Sequence, residues 1–444
     1  MLVNILPSLK VLMKMNSQIL PLLTFTISCE LMHWIEKYEF NGKSNDRRSS
    51  NSKNDDSKGN GRKGNLMDWL QNSNLQKLMK VLDPCMAVGG CVRNSMIGKG
   101  LNDEVDLATP LLPEEVMRLA KKAGFKVIPT GLQHGTVTCV MDGDVFEVTT
   151  LRVDIDTDGR HAQVEFSKSW EEDAKRRDLT INALYADING KIYDFVGGLD
   201  DIKKGMIRFI GDPDLRIQED YLRILRFFRF LAHYGKNYDF ESLHACKKYV
   251  QNLQKIARER CINEMMKLLD ACNFISTLRL MDDINIWEHC DFPKPNFDVL
   301  ENIIVKEKAM NLKSSALAKF ASFDGSIENV KLSNLQKKNI KLLRNVNVMK
   351  EKSDYIKWIN EVPSDLWNDG FILKGALDDL QFLEPWKKNL FHFSGNDVMN
   401  IMHLPSGPGV KKYLDKLKEW FVEQDAPAPY SDLIKQLEIF RKSQ

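Results

Sequence analysis

Gly89-Gly90-Cys91-Val92-Arg93-Asn94 is followed shortly by Glu104-Val105-Asp106-Leu107-Ala108-Thr109, and this stretch is the most informative part of the chain. It reads as a glycine pair able to cradle phosphate, then a strand with carboxylates spaced to hold a metal. Successive side chains on a strand point to opposite faces, so Glu104 and Asp106 share one face while Val105 and Leu107 enter a core. Two oxygen donors converging on one point suit a hard divalent cation such as Mg²⁺, with water and nucleotide phosphate oxygens completing the octahedron. The glycines let backbone N–H groups approach those phosphates, and Arg93 can add a charge-assisted contact. A third acid, Asp103, precedes Glu104; it would face the other way unless a bulge intervenes, and is the alternative first ligand.

The 444 residues are enough for two or three domains with a sizeable core, at 43% hydrophobic content. The net charge of +2, from 63 basic and 61 acidic residues, means that any nucleic-acid contact must come from local clustering. Eight cysteines lie singly, with no zinc-ligand spacing, which points to a reducing, cytoplasmic setting and no zinc. Lys10, Lys14 and Pro21 interrupt the apolar N-terminus, short of the roughly 20 apolar residues that a membrane span needs. Residues 1–65 therefore read as a disordered or dispensable extension, with 42–65 too polar to offset the entropy of ordering.

Leu66, Trp69, Leu70, Leu78, Val81 and Leu82 recur at helical spacing. From Met86 to about Gly211 short β-rich runs follow: 86–88, 105–108, 127–129, 137–141, 145–150, 183–188 and 192–194. They are interrupted by a helix at 113–123 with acids first and lysines last. Beyond Asp212 the pattern is amphipathic helices. The lysine-rich run from Lys306 to Lys352 reads first as a solvated helix face and second as an RNA contact.

Further constellations sit in the β-rich region. On the strand Val145 to Thr150, Glu147 and Thr149 share a face, which offers a third carboxylate either as ligand or general base or as an ordinary sheet glutamate. Asp158-Gly159-Arg160-His161 has the composition of a tight loop tip, either a plain hairpin or a loop that carries Arg160 towards substrate. Arg176-Arg177-Asp178-Leu179-Thr180-Ile181-Asn182 combines guanidiniums suited to triphosphate oxygens with Asp178 and Asn182, which could orient Arg177 or recognise ribose hydroxyls. A helix from about Leu215 is expected to align Arg216, Glu219, Asp220, Arg223 and Arg226 in one polar stripe. Asp220 and Arg223 are either surface ion-pair formers or an acceptor and donor for the Watson–Crick edge of a base.

Taken in order, the glycine pair, Glu-Val-Asp-Leu-Ala-Thr, Asp-Gly-Arg-His-Ala, Arg-Arg-Asp-Leu-Thr-Ile-Asn-Ala-Leu and Glu-Asp-Tyr-Leu-Arg-Ile-Leu-Arg resemble the class II tRNA nucleotidyltransferase and bacterial poly(A) polymerase family. The resemblance runs from about Leu66 to the C-terminus and includes Gly407-Pro408-Gly409. It implies an α+β head of the DNA polymerase β-like type, a mixed sheet with flanking helices, followed by an all-α neck, body and tail. The implied divisions are a catalytic head at 66–211, a base-reading neck at 212–275, and a body and tail at 276–444 that bind the tRNA acceptor arm.

By position, the resemblance gives Gly89, Gly90, Arg93 and Arg177 to the triphosphate, and Glu104 with Asp106 to two Mg²⁺ ions. Asp178 and Asn182 fall to the ribose, and Asp158, Gly159 and Arg160 to a flexible loop. Asp220 and Arg223 become a protein template that selects CTP and then ATP, while Arg258, Glu259, Arg260 and Glu264 support a helix. The chain departs from the common pattern at Glu104, where Asp is usual, and at Asn94, where Asp is common and a local cap is expected. The implied activity is addition or repair of the 3′-terminal CCA of tRNA. Alternatives are a poly(A) polymerase, a CC- or A-adding specialist, and a non-catalytic tRNA-binding module. The loop Asp158-Gly159-Arg160 weighs against a CC-adding enzyme, and the chain's ending soon after its Gly-Pro segment weighs against a poly(A) polymerase.

Overall fold

The computed structural model describes residues 67–100, 105–157, 162–375 and 382–443, without the side chains of 154–157 and 162–164. The expectations for residues 1–65, Asp103, Glu104, Asp158, Gly159 and Arg160 lie outside the described residues. The chain forms two compact units. One is built from residues up to Asp156 with Gln163–Gly211 and Tyr234–Asp239, the other mainly from Asp212–His233 and Phe240 onwards.

The first unit is organised by a seven-stranded mixed sheet in the order β3-β4-β5-β2-β1-β8-β9. Its strands are β1 (Met86–Val88), β2 (Val105–Thr109), β3 (Lys126–Gly131), β4 (Thr136–Met141), β5 (Asp144–Thr150), β8 (Leu184–Ala186) and β9 (Ile192–Asp194). Only β2 and β5 run parallel; the other neighbours are antiparallel. A separate pair, β6 (Arg152–Thr157) and β7 (Ala162–Phe166), flanks residues 158–161; it lies outside the β-rich runs expected from the sequence, although Val153 and Ile155, and Ala162, Val164 and Phe166, alternate with polar residues.

The strand alternation sorts the two sheet faces. Val105 and Leu107 of β2, Phe146 and Val148 of β5, and Val137 and Cys139 of β4 lie in one core. The helices α1 (Ser73–Val81), α2 (Gly90–Met96) and α3 (Pro113–Lys122) cover that face with Leu75, Leu78, Cys91, Val92, Val116 and Ala120. Helix α3 starts with Pro113, Glu114 and Glu115 and ends with Lys121 and Lys122, the charge order its dipole favours. The first helical run divides in two, because Asn72 accepts the N–H of Leu75 and caps α1, leaving Asp68–Gln71 as a 3₁₀ turn. On the opposite face a smaller core of Met86, Val88, Ala108, Leu151, Ala174, Ala183, Tyr185 and Ile210 covers part of the sheet. It includes Ala174 of α4 (Trp170–Lys175), while α5 (Gly198–Lys204) packs on the turn Thr180–Asn182.

The second unit is helical. It opens with α6 (Pro213–Glu219) and α7 (Leu222–Tyr234), followed by α8 (Phe240–Tyr249) and α9 (Arg258–Leu269), and continues to Tyr430–Lys442. Trp287, Trp358 and Trp386 are buried anchors of its core. The single helix expected from Leu215 is broken at Asp220, whose backbone is extended at φ −155°, ψ 107°. Its side chain accepts the N–H of Leu222 and its carbonyl accepts that of Arg223, so Asp220 ends one helix and starts the next. The lysine-rich run is not uniformly solvated. Lys319 is 2% exposed and donates to the Leu269 carbonyl over the Phe274 ring, and Lys306 donates to the Leu373 carbonyl.

Candidate active site

Asp106 is the one exposed residue of β2, set between buried Val105 and Leu107. The parallel pairing places it opposite Glu147 of β5, and both point away from the large core, so two carboxylates stand side by side on the same sheet face. Thr138 of β4 is the next cross-strand neighbour of Glu147. An oxygen-only donor set on an open strand fits a hard divalent cation better than a soft one. Among the described residues no cluster of three or more His, Cys, Asp or Glu is close enough to hold a metal.

Gly89 follows β1 and caps α2 with φ 79° and ψ −121°, a conformation that L side chains rarely adopt. A Cβ there would lie 3.7 Å from the Asn182 carbonyl oxygen and 4.0 Å from Nη1 of Arg177, so the glycine turn sits directly beside both. Cys91, in the first turn of α2, adjoins Asp106. Burial pushes its thiol up to about 12, and the neighbouring Asp106 charge adds to the rise. The glycine turn, Arg177, Asn182 and the Asp106 strand thus meet within one unit.

Arg177 is oriented by Asp173 and Tyr185. Its Nη2 donates to Asp173 Oδ2 at 3.0 Å and its Nε to the Tyr185 hydroxyl at 3.2 Å, while Tyr185 donates to the same Asp173 oxygen at 2.7 Å. Arg176 takes the other oxygen of Asp173 at 2.8 Å through Nε. Burial alone would raise the Asp173 pKa, but the Arg177 and Arg176 guanidiniums outweigh it and hold the carboxyl at about 2. Nothing in the reading of motifs marked Asp173 or Tyr185. The i, i+3 and i, i+4 spacing from Asp173 to the two arginines was the available signal.

Asn182 and Asp178 belong to a second chain of contacts. The Asn182 amide donates to Asp178 Oδ1 at 3.1 Å, and its oxygen accepts from Arg93 Nη1 at 2.5 Å. Arg93, only 4% exposed, also donates to Asn94 Oδ1 and to the Tyr234 hydroxyl. Asn94 therefore serves as an acceptor for Arg93, which gives this position a purpose beyond a local cap.

In the second unit, Asp220 receives both terminal nitrogens of Arg260, at 2.7 and 3.4 Å. Arg223 donates to the Arg216 carbonyl at 3.0 Å and to Glu219, which also pairs with Arg216 at 2.5 Å. Arg258 meets Asp291 at 2.7 Å, and Glu264 meets Arg229 at 2.6 Å, tying α9 to its neighbours. A carboxylate and a guanidinium are thus held at the break between α6 and α7 by separate partners.

Comparison with known proteins follows the same division. Residues 85–208 match the "Poly A polymerase head domain" family, and residues 238–293 match the "Probable RNA and SrmB- binding site of polymerase A" family. A protein of Danio rerio named CCA tRNA nucleotidyltransferase 1, mitochondrial, is 34% identical over 345 residues, covering 75% of this chain and 74% of that one. A CCA-adding enzyme of Oceanobacillus iheyensis is 33% identical over 363 residues, covering 77% and 89%. The crystal structure of the Bacillus stearothermophilus CCA-adding enzyme in complex with CTP aligns with a TM-score of 0.58 at 24% identity, over 84% of this chain and all of the other. That likeness carries the fold, a mixed-sheet head with flanking helices and a helical remainder.

Proposed function

Because the chain belongs to the CCA tRNA nucleotidyltransferase and poly(A) polymerase family and is a nucleotidyltransferase, we propose that it adds or repairs the 3′-terminal CCA of tRNA. The substrates are CTP, then ATP, and the tRNA acceptor arm. In each cycle the terminal 3′-oxygen bonds to the α-phosphorus, the bond from that phosphorus to the bridging oxygen of the β-phosphate breaks, and pyrophosphate leaves. The observation that carries this reading is the pairing of exposed Asp106 with Glu147 beside the Gly89 turn.

Asp106, with Glu104 or Asp103 as its companion, would hold two Mg²⁺ ions. When bound, these ions would lower the pKa of the attacking hydroxyl and neutralise the departing pyrophosphate. Glu147 is the third carboxylate, suited to accept the hydroxyl proton. Gly89, Gly90, Arg93 and Arg177 receive the triphosphate, with Arg177 aimed by Asp173, and Asp178 with Asn182 reads the ribose. Asp220 and Arg223 read the base, in a neck at 212–275, and residues 276–444 hold the tRNA. Such chemistry rests on positioning and fixed charge, as is general for phosphoryl transfer.

We place its action in a reducing compartment such as the cytoplasm, which the buried free thiols of Cys85, Cys91, Cys139 and Cys246 favour. Among the described residues no helix is long and apolar enough to cross a membrane.

Asp106→Asn tests the metal assignment. Incorporation of labelled CMP and AMP into truncated tRNA should be abolished with an unchanged melting temperature, and near-normal incorporation would remove Asp106 from the site. Glu104→Gln and Asp103→Asn, assayed together, identify the companion ligand, because only one of them should be severely impaired.

A further inference from the structure

Tyr234 closes α7 and is grouped with the sheet-bearing unit, where it meets Arg93 in two ways. Its hydroxyl accepts from Arg93 Nη2 at 2.9 Å, and its ring centroid lies 4.2 Å from the guanidinium carbon. Lys99 approaches the same ring at 4.7 Å. On its other side Arg93 donates to Asn94 and, through Nη1, to Asn182, whose amide nitrogen then faces Asp178.

We propose that Tyr234 is a positioning residue for ribose recognition, acting through Arg93 to fix the orientation of the Asn182 amide. A primary amide has two orientations of nearly equal shape, and only its hydrogen-bond partners choose between them. Here the choice is made by a donor on one side, Arg93, and an acceptor on the other, Asp178. Arg93 can impose it only while its own plane is held, and Asn94 and Tyr234 grip the end remote from Asn182. Loss of the Tyr234 hydroxyl removes one charge-assisted bond from that grip and leaves the ring contact in place.

The inference rests on the nucleotidyl-transfer reading and on Asp178 and Asn182 serving the ribose. It is tested by steady-state incorporation of CTP and 2′-deoxy-CTP into truncated tRNA, with direct binding of both nucleotides measured in parallel. Native protein, Tyr234→Phe and Tyr234→Leu are compared. Tyr234→Phe should lower the preference for CTP over 2′-deoxy-CTP about fivefold, the size expected of one such bond felt through a second residue. The change should appear in KM and in the binding ratio, with kcat and the melting temperature nearly unchanged. Tyr234→Leu should lower the preference further. An unchanged preference in both variants, or an equal loss for both nucleotides, overturns the role of Tyr234. Failure of the native protein to add either CMP or AMP instead counts against the nucleotidyl-transfer reading, while the binding ratios still test Tyr234.

Discussion

Asp173 is the residue whose charge state most directly links stability to the candidate site. It is 1% exposed and carries Arg176, Arg177 and Tyr185 on its two oxygens. Its folded pKa of about 2 lies below the ordinary value of 3.8, so the folded state favours the ionised form. The resulting stabilisation, about 2 kcal/mol, is fully present above pH ~4 and is lost as pH falls through ~2. Asp173→Asn should therefore flatten the acid limb of a stability profile measured by urea unfolding. At neutral pH it should cost about 3 kcal/mol, because two arginines lose their buried counter-charge. Arg177 also loses its aim, so KM for nucleotide should rise with it. A variant as stable as the native protein, with an unaltered acid limb, would show that Asp173 does not hold the pair.

At the scale of elements, the site depends on close approaches and on one helix break. Gly198 opens α5 against the turn that carries Asn182, and a Cβ there would meet the Thr180 carbonyl oxygen at 2.3 Å. Gly198→Ala should force α5 off that turn, costing about 2 kcal/mol in thermal or urea unfolding, and should raise KM for nucleotide. Native-like stability would mean that the contact relaxes freely. The break at Asp220 makes a different prediction. Arg260→Leu removes the clamp on Asp220 and should degrade the choice of nucleotide, read by sequencing product 3′ ends, while addition itself continues. Unaltered ends would dissociate Arg260 from base choice.

The same elements explain what was legible in the chain. All seven strands of the sheet fall in the short β-rich runs of the sequence, with alternation of buried and more exposed residues clearest in β5, and α3 follows from its charge order, because each signal is local. The α6–α7 break was hidden, since Asp220 fits a continuous polar stripe and its capping bond depends on backbone geometry. Asp173 carries a local signal in its i, i+3 and i, i+4 spacing to Arg176 and Arg177, whereas Tyr185 and Tyr234 are hidden for a related reason. Their importance arises from partners distant in sequence, such as Arg93 for Tyr234, and no short motif encodes such a meeting.

At the scale of the whole molecule, one unit carries the sheet with Asp106, Glu147 and Arg177, and the other carries Asp220 and Arg223 on helices. The lysine-rich run divides in the same physical terms: Lys319 and Lys306 satisfy buried carbonyls, whereas Lys341 pairs with Glu328 in solvent. Family membership gives the chemistry its class, and the product distinguishes its branches. The most direct measurement is therefore incubation of a tRNA transcript lacking its 3′-terminal CCA with CTP, ATP and Mg²⁺, followed by sequencing of the extended ends. Addition of C, C and A in that order and then arrest is expected, with CTP alone giving two additions. Tails of A on any RNA, or no extension at all, would contradict the proposed function.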